Sequence, residues 1–346
     1  MYSLSKQGSG VESVLTMIET LEQTSQQQDQ ASSTSQSIDP YHQSHATNPQ
    51  GQEMWTPPAL PYFVDPAQLP APLPTTQDIR ACGSILNERT AQKVKAVGDH
   101  FVVKYGPGTE IREGNNLIFI QHRLPSLPVP RVWAMYEEDG EVFIIMDYCQ
   151  GTTLQETWPT LDADEKTSIT QQLWSIVDQL RAQPPPEPPF YGSFDRGPVP
   201  YCLFYTPEQD PAIGGPFVNE YDFIQGLVQN LRSIDRLNNR DSYKADYYEQ
   251  NLPCCFRLGR PTLTHGDIQK KNIIVRRIGS HGDDPAFKLM IIDWETAGWY
   301  PAYWEYFATF TSLRWHDDWS SRIHQFLLPW PAETAALLMI YHDLFF

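Results

Sequence analysis

Apolar and polar positions alternate in short stretches between residues 92 and 148 and take up helical periods beyond residue 151, so a strand-rich part precedes a helix-rich one. Gln92 to Val97 and Phe101 to Tyr105 have strand character, and in the second of these Val102 and Lys104 share one face. A helix is expected next, with Gly106 and Gly108 marking the turn before it and Thr109 as its cap. It should end near Arg123, where Pro125, Pro128 and Pro130 break the chain. Along it Glu113, Leu117, Ile120 and Leu124 recur at helical spacing and form one stripe. The runs Arg131 to Tyr136 and Glu141 to Tyr148, joined by Glu-Glu-Asp-Gly, predict a hairpin. Farther on, Ile169, Leu173, Ile176, Val177 and Leu180 predict a buried helix over Asp162 to Gln183, stopped by the prolines from Pro184. A second periodic segment carries Phe223, Ile224, Leu227, Val228, Leu231 and Ile234. Two short strands, Asn272 to Val275 and Leu289 to Ile292, bracket a polar insertion at Gly279 to Pro285. The C-terminal tryptophans Trp299, Trp304, Trp315, Trp319 and Trp330 are expected in the core.

Residues 1–77 break this pattern. They are rich in Gln, Ser, Thr and Pro and nearly lack Lys and Arg, so they are expected to be a disordered tail. Within them Val11, Val14, Leu15, Ile18 and Leu21 fall on one helical face, which we read as a transient helix. The ordered chain then divides into a small lobe at 78–148 and a larger one at 149–346. With 25 basic against 42 acidic side chains the net charge is −17, which removes the electrostatic affinity that nucleic-acid and anionic-membrane binders use. Neither class of partner is expected. The five cysteines, odd in number and without C-x-x-C spacing, read as reduced thiols. No signal-peptide pattern opens the chain and no apolar run is long enough to span a membrane, so a cytoplasmic location is expected. The chain ends on Asp343-Leu344-Phe345-Phe346 without a polar tail, which leaves open a longer parent chain.

The strongest chemical signal is His265-Gly266-Asp267-Ile268-Gln269-Lys270-Lys271-Asn272-Ile273, followed by Ile292-Asp293-Trp294-Glu295. An aspartate in a loop beside a glycine can accept a hydroxyl proton. An asparagine five positions on and an aspartate at the end of the next strand can offer hard oxygen ligands to Mg²⁺. Taken singly, Asp267 reads equally as a turn residue, and Asn272 and Asp293 as strand caps. Their order and their flanking strands favour the chemical reading. A metal hydrolase built on His316-Asp317-Asp318 lacks a second ligand cluster, and no G-x-S-x-G supports a serine hydrolase.

These two motifs resemble the signatures of the aminoglycoside phosphotransferase family. Val129-Pro130-Arg131-Val132 and Gly215-Pro216-Phe217 are similar to a fungal-type branch of it. The resemblance implies an α+β, bilobal protein-kinase-like fold with a small β-rich N-lobe and a larger, mainly helical C-lobe. It further implies an ATP- and Mg²⁺-dependent kinase acting on a hydroxyl of a small molecule. By resemblance, Asp267 is the catalytic base, Asn272 and Asp293 hold the metal, and Lys104 on the strand touches the nucleotide phosphates. Glu113 is its expected partner, because a carboxylate on an apolar stripe needs a cation. The backbone at Asp147, Tyr148 and Cys149 would meet the adenine. His265 braces the loop, and Glu295 is left open between the metal's surroundings and a salt bridge within the lobe. The segment Leu86 to Lys95 has no glycine where a phosphate-covering loop should lie, so a catalytically weak or dead binding module is the alternative. The absence of a long activation segment after Asp293 argues against a protein substrate. The acidic groups at Glu208 to Asp210, Glu220 to Asp222 and His316 to Asp318 read as solvated charge, with attraction of a cationic acceptor as the other possibility. Gln269 is also found in choline kinases.

Overall fold

Alternation along Phe101–Gly106 sends Phe101, Val103 and Tyr105 into an apolar layer on one side of a sheet and leaves Val102 and Lys104 on the other. The computed structural model describes residues 55–89, 91–256, 259–279 and 286–345, which all belong to the unit Gln52–Phe346. The first lobe holds strands β1 (Tyr62–Phe63), β2 (Ile85–Arg89), β3 (Gln92–Val97), β4 (Phe101–Gly106), β5 (Val132–Glu138) and β6 (Glu141–Asp147), with helices α1 (Thr76–Ala81) and α2 (Ile111–Arg123). Among the described residues the strands form one antiparallel sheet in the order β1-β5-β6-β4-β3-β2. The predicted hairpin is present, and Asp139 and Gly140 turn it with φ of 54° and 75°, the left-handed pair that suits the strand twist.

One side of this sheet is covered by α2. The other side carries Phe101, Val103, Tyr105, Trp133, Phe143 and Ile145, and an apolar sheet face must be covered. Ile79 closes it together with Val64, Leu69, Ala71 and Leu73. The disorder expected over 1–77 therefore does not hold for residues 55–77, whose prolines make an extended strap and whose apolar side chains fill a face that the rest of the lobe leaves open. Trp55 packs edge-on against Phe119 of α2 at 5.4 Å. The helix expected at Val11 to Glu22 lies outside the described residues. Thr109 does not cap α2. Its N–H closes the preceding turn on the Gly106 carbonyl at 3.0 Å, so the helix starts two residues later and Glu110 occupies the cap without a side-chain bond.

The second lobe is built on α3 (Ala163–Arg181), α4 (Glu220–Leu237), α5 (Trp304–Thr311) and α6 (Pro331–Phe345), with short strands β7 (Thr152–Thr153), β8 (Thr262–Thr264), β9 (Ile273–Arg277), β10 (Phe287–Ile291) and β11 (Gly298–Tyr300). Asp162 and Glu165 form a reciprocal capping box that starts α3, whose apolar stripe is buried as its periodicity predicts. The core containing α3 continues through Leu117 and Ile120 into the first lobe, so α2 is packed from both lobes. A second core joins α4, α5 and α6 through Phe223, Leu227, Trp304, Phe307, Leu337 and Ile340. Trp299, Trp304 and Trp319 are buried as expected, whereas Trp315 is 63% exposed. No helix among the described residues is long and apolar enough to cross a membrane.

Gly226 of α4 sits where a Cβ would come within 2.5 Å of the Phe217 ring and 2.9 Å of the Ile213 carbonyl oxygen. Alanine ordinarily favours a helix over glycine by about 1 kcal/mol, but overpacking here sets chain against backbone and should reverse the sign. We expect Gly226→Ala to lower the unfolding free energy by about 1 to 2 kcal/mol, measured by urea denaturation. A stabilised variant would show that the α4 contact has room.

Candidate active site

Antiparallel pairing of β9 with β10 sets Ile273 opposite Ile291, so Asn272 faces Ile292 and Asp293, the next residue, lines the same cavity as Asn272. The Ile292 N–H donates to the Asn272 carbonyl at 3.0 Å and extends the pairing into the site. Asp293 turns the chain out of β10 with a left-handed φ of 66°. This delivers its carboxylate to Lys104 Nζ, 3.1 Å away.

Lys104 is buried and meets three carboxylates from three directions. It forms an ion pair with Glu113 of α2, contacts Asp293, and lies 3.2 Å from Glu295. The pair expected from the apolar stripe is thus formed, and Glu295 is a salt-bridge partner of the same lysine. Burial alone would lower the Lys104 pKa, but the three carboxylates outweigh it and hold the ammonium above the ordinary lysine value. Burial pushes the Glu113 carboxyl up, with Lys104 acting against it. At Asp293 burial also pushes upward, but Lys104 prevails and keeps the group below the usual carboxylate range. Glu113, Asp293 and Glu295 can bring ligand atoms within 4.8 Å of one another. Three carboxylates around one ammonium leave this corner with an excess of negative charge, an environment that favours a divalent cation.

The Asp267 loop is held separately. Gly266 has a φ of 80°, and a Cβ there would meet the Thr296 carbonyl at 3.0 Å, so glycine is required at this bend. The Glu305 carboxylate of α5 accepts the N–H groups of His265 at 2.7 Å and Gly266 at 3.2 Å. The fully buried His265 ring accepts from the Asp267 N–H at 3.1 Å and donates to the Ile292 carbonyl at 3.1 Å, which braces one motif against the other. The Asp267 carboxylate is bonded by Gln269 and by Asn272 Nδ2 at 2.6 Å, and Lys271 Nζ lies 3.5 Å from it. Because both contacts made by the Asn272 amide nitrogen go to Asp267, at Oδ2 and at the main-chain carbonyl, its amide oxygen is the atom left for a ligand.

A cavity of about 430 Å³ lies over these groups. Val102, Lys104, Glu113, Asn272 and Asp293 form one wall, Met146 to Cys149 another, and the β2–β3 hairpin covers it with Leu86, Asn87, Arg89, Gln92 and Val94. At the hinge, the Asp147 side chain is consumed by the Arg131 N–H at 3.0 Å and Trp133 Nε1 at 2.7 Å. The N–H groups of Asp147 and Tyr148 are likewise taken, by Arg131 and His100. The Asp147 carbonyl accepts from the Cys149 thiol at 3.7 Å, and among the described residues the Cys149 N–H remains for a ligand. Lys104, Glu113, Asp147, Tyr148, Cys149, Asn272 and Asp293 therefore share one cavity wall system, with Asp267 bonded to its edge through Asn272 and Lys271.

Two residues that hold the site were not singled out from the sequence. Glu305 is a lone carboxylate in the apolar run Trp304-Glu305-Tyr306-Phe307, a signal of the same kind that pointed to Glu113. Asn116 of α2 donates to the carbonyls of Trp294 at 2.8 Å and Ala297 at 3.3 Å, tying α2 to the turn after Asp293, and nothing in its local sequence marks it.

The family model described as the phosphotransferase enzyme family matches residues 87–328, well over half of the chain, and the chain belongs to that family. Its α+β, two-lobed architecture is protein-kinase-like. Solved structures similar to it include a thermostable mutant of the aminoglycoside phosphotransferase APH(4)-Ia with ADP and hygromycin B, at 17% identity and a TM-score of 0.48 over 75% of this chain and 82% of that one. A streptomycin–ATP complex of APH(2")-IIa is 16% identical with a TM-score of 0.44, over 67% of this chain and 71% of the other. A search of curated proteins finds no match.

Replacing Glu305 by alanine would strand two buried N–H groups at the loop, and we expect it to cost about 2 to 5 kcal/mol of stability, with Glu305→Gln costing less; urea denaturation of both variants tests this. Burial, with Asp147 adding to it, pushes the Cys149 thiol up to about 12. The thiol is therefore neutral at pH 8, and iodoacetamide should leave Cys149 unmodified there while labelling the exposed Cys254 and Cys255, as read by peptide mapping.

Proposed function

We propose that this protein is an ATP- and Mg²⁺-dependent phosphotransferase that moves the terminal phosphoryl group of the nucleotide to a hydroxyl of a small molecule. The observation that carries the reading is the convergence of Lys104, Glu113, Asn272 and Asp293 on one cavity wall with the Asp267 carboxylate bonded to its edge. The donor left at the hinge, the Cys149 N–H, would meet an acceptor nitrogen on the edge of an adenine. Val102 and Met146 supply apolar surface to either side. Lys104, held in place by Glu113, would contact the phosphates, while Arg89 and Gln92 line the cover in place of the missing glycines.

Asp267 would orient the acceptor hydroxyl and take its proton as the hydroxyl oxygen bonds to phosphorus and the bond to the departing ADP oxygen breaks. The Asn272 amide oxygen and the Asp293 carboxylate are the groups that would hold Mg²⁺, and the excess negative charge around Lys104 suits it. Bound there, the ion would neutralise phosphate charge. Positioning and charge neutralisation would then supply most of the rate. A catalytically weak or dead kinase-like domain that serves as a binding or scaffold module is the second reading, and the glycine-free β2–β3 hairpin favours it.

Calorimetric titration with ATP and with GTP, each with and without Mg²⁺, separates these readings. Saturable metal-dependent binding supports the first reading and justifies a screen of small alcohols as acceptors, and no binding at millimolar nucleotide removes the first and supports the second. Asp293→Ala should lose metal-dependent binding. Asp267→Ala should keep it and lower transfer about 10²- to 10⁴-fold. If both variants behave as the wild type does, the assignment of these two aspartates is wrong.

A further inference from the structure

A second cavity, of about 400 Å³, adjoins the nucleotide cleft. The two share Gln155 and Lys271 as walls, and of the residues bonded to the Asp267 carboxylate, Gln269 and Lys271 line this second cavity. Granting the phosphotransferase reading, on which the inference rests, this is where an acceptor hydroxyl would reach Asp267 beside the nucleotide cleft.

The lining has an unexpected sign. Lys270, Lys271 and Arg314 are its basic residues and Asp317 its acidic one, and with the Asp267 carboxylate that Lys271 holds at its edge the balance is 3 − 2 = +1 in a chain whose net charge is −17. Asp317 is itself spent on Lys270. Its neighbour Asp318 is turned to Lys166, Arg322 and the Trp158 indole, so the acidic run at His316 to Asp318 holds the lobe together and offers nothing to a cationic ligand. Three of the other acidic groups are also used within the fold, while Glu208 is exposed. Glu220 is buried and accepts the Gly259 N–H, Asp210 caps Pro211–Gly214, and Asp222 accepts from Asn219. Arg314, by contrast, is exposed and has no carboxylate partner among the described residues.

Trp315 stands beside it, 63% exposed, on a left-handed backbone with φ of 57°. A bulky side chain held in that conformation costs on the order of 1 kcal/mol, and this one recovers little by burial. Its ring meets Phe310 edge to face at 5.4 Å and lines the cavity. An indole presented at the mouth of a positively charged cavity is suited to the flat or apolar face of a ligand whose charged end meets Arg314.

We propose that the acceptor is an alcohol bearing an anionic group and a flat or apolar face, bound by Arg314 and Trp315 beside Asp267, and that polycationic alcohols are disfavoured. The test uses the full chain with ADP and Mg²⁺ and three matched probes: 4-(hydroxymethyl)benzoate, benzyl alcohol and 4-(hydroxymethyl)benzylamine. Affinities from ligand-observed NMR should fall in that order, with the carboxylate about tenfold tighter than the neutral alcohol, equivalent to about 1.4 kcal/mol. Arg314→Ala should erase the carboxylate's advantage while keeping the affinity for benzyl alcohol, and Arg314→Lys should restore part of it. Tighter binding of the amine, equal binding of all three, or binding of none overturns the proposal. Nucleotide titration of the same sample keeps the two ideas apart. If ATP binds and the charge order fails, only this inference falls; if the order holds and ATP does not bind, the cavity is an anion site and the phosphotransferase reading falls.

Discussion

A buried ammonium surrounded by three carboxylates is the constraint on which the rest of this structure depends. Lys104 comes from β4, Glu113 from α2, and Asp293 and Glu295 from the turn after β10, so one cation ties together the sheet, its helix and the second lobe. Removing an ammonium from water costs several kcal/mol, and a single carboxylate, itself desolvated, offsets this poorly. The cluster therefore has more negative charge than its lysine can neutralise. The excess that keeps Lys104 protonated is also what would draw a divalent ion to the cleft.

The second anchor is made of hydrogen bonds to backbone. Glu305 receives two consecutive N–H groups at the bend before Asp267, while His265 spans from the Asp267 N–H to the Ile292 carbonyl. These contacts fix where the Asp267 carboxylate can stand relative to Asp293. Asn272 joins the two systems, since its amide nitrogen is committed to Asp267 while its carbonyl is paired with Ile292. Geometry set by buried polar contacts of this kind has few alternatives, because an unpaired buried N–H costs about 1 to 3 kcal/mol. The cleft is thereby organised before any ligand arrives.

Charge is distributed unevenly around these anchors. The chain is strongly acidic as a whole, yet many of its carboxylates near the second lobe's surface are committed to helix caps or to ion pairs, and the cavity beside Asp267 is left positive. Net charge thus describes the far field of this protein and says little about the local potential where an acceptor would bind.

Much of the fold was legible along the chain because its signals are local. Alternation marked β3 to β6, the period of Ile169 to Leu180 marked α3, and a carboxylate on an apolar stripe identified the Lys104–Glu113 pair. The motifs likewise singled out Asp267, Asn272 and Asp293, since the β9–β10 pairing carries Asn272 toward Asp293 and the loop before β9 bonds Asp267 to Asn272. What local patterns could not reach were contacts between distant segments. Residues 55–77 are proline-rich and follow a polar tail, and they order because a distant sheet presents an apolar face that their apolar side chains cover. The roles of Glu305 and Asn116, the inward commitment of Asp317 and Asp318, and the outward placement of Trp315 also depend on which chain segments meet. Local composition determines which elements form and which residue types can do chemistry, but the sign and shape of a cavity are sums over side chains that only the packed lobe brings together.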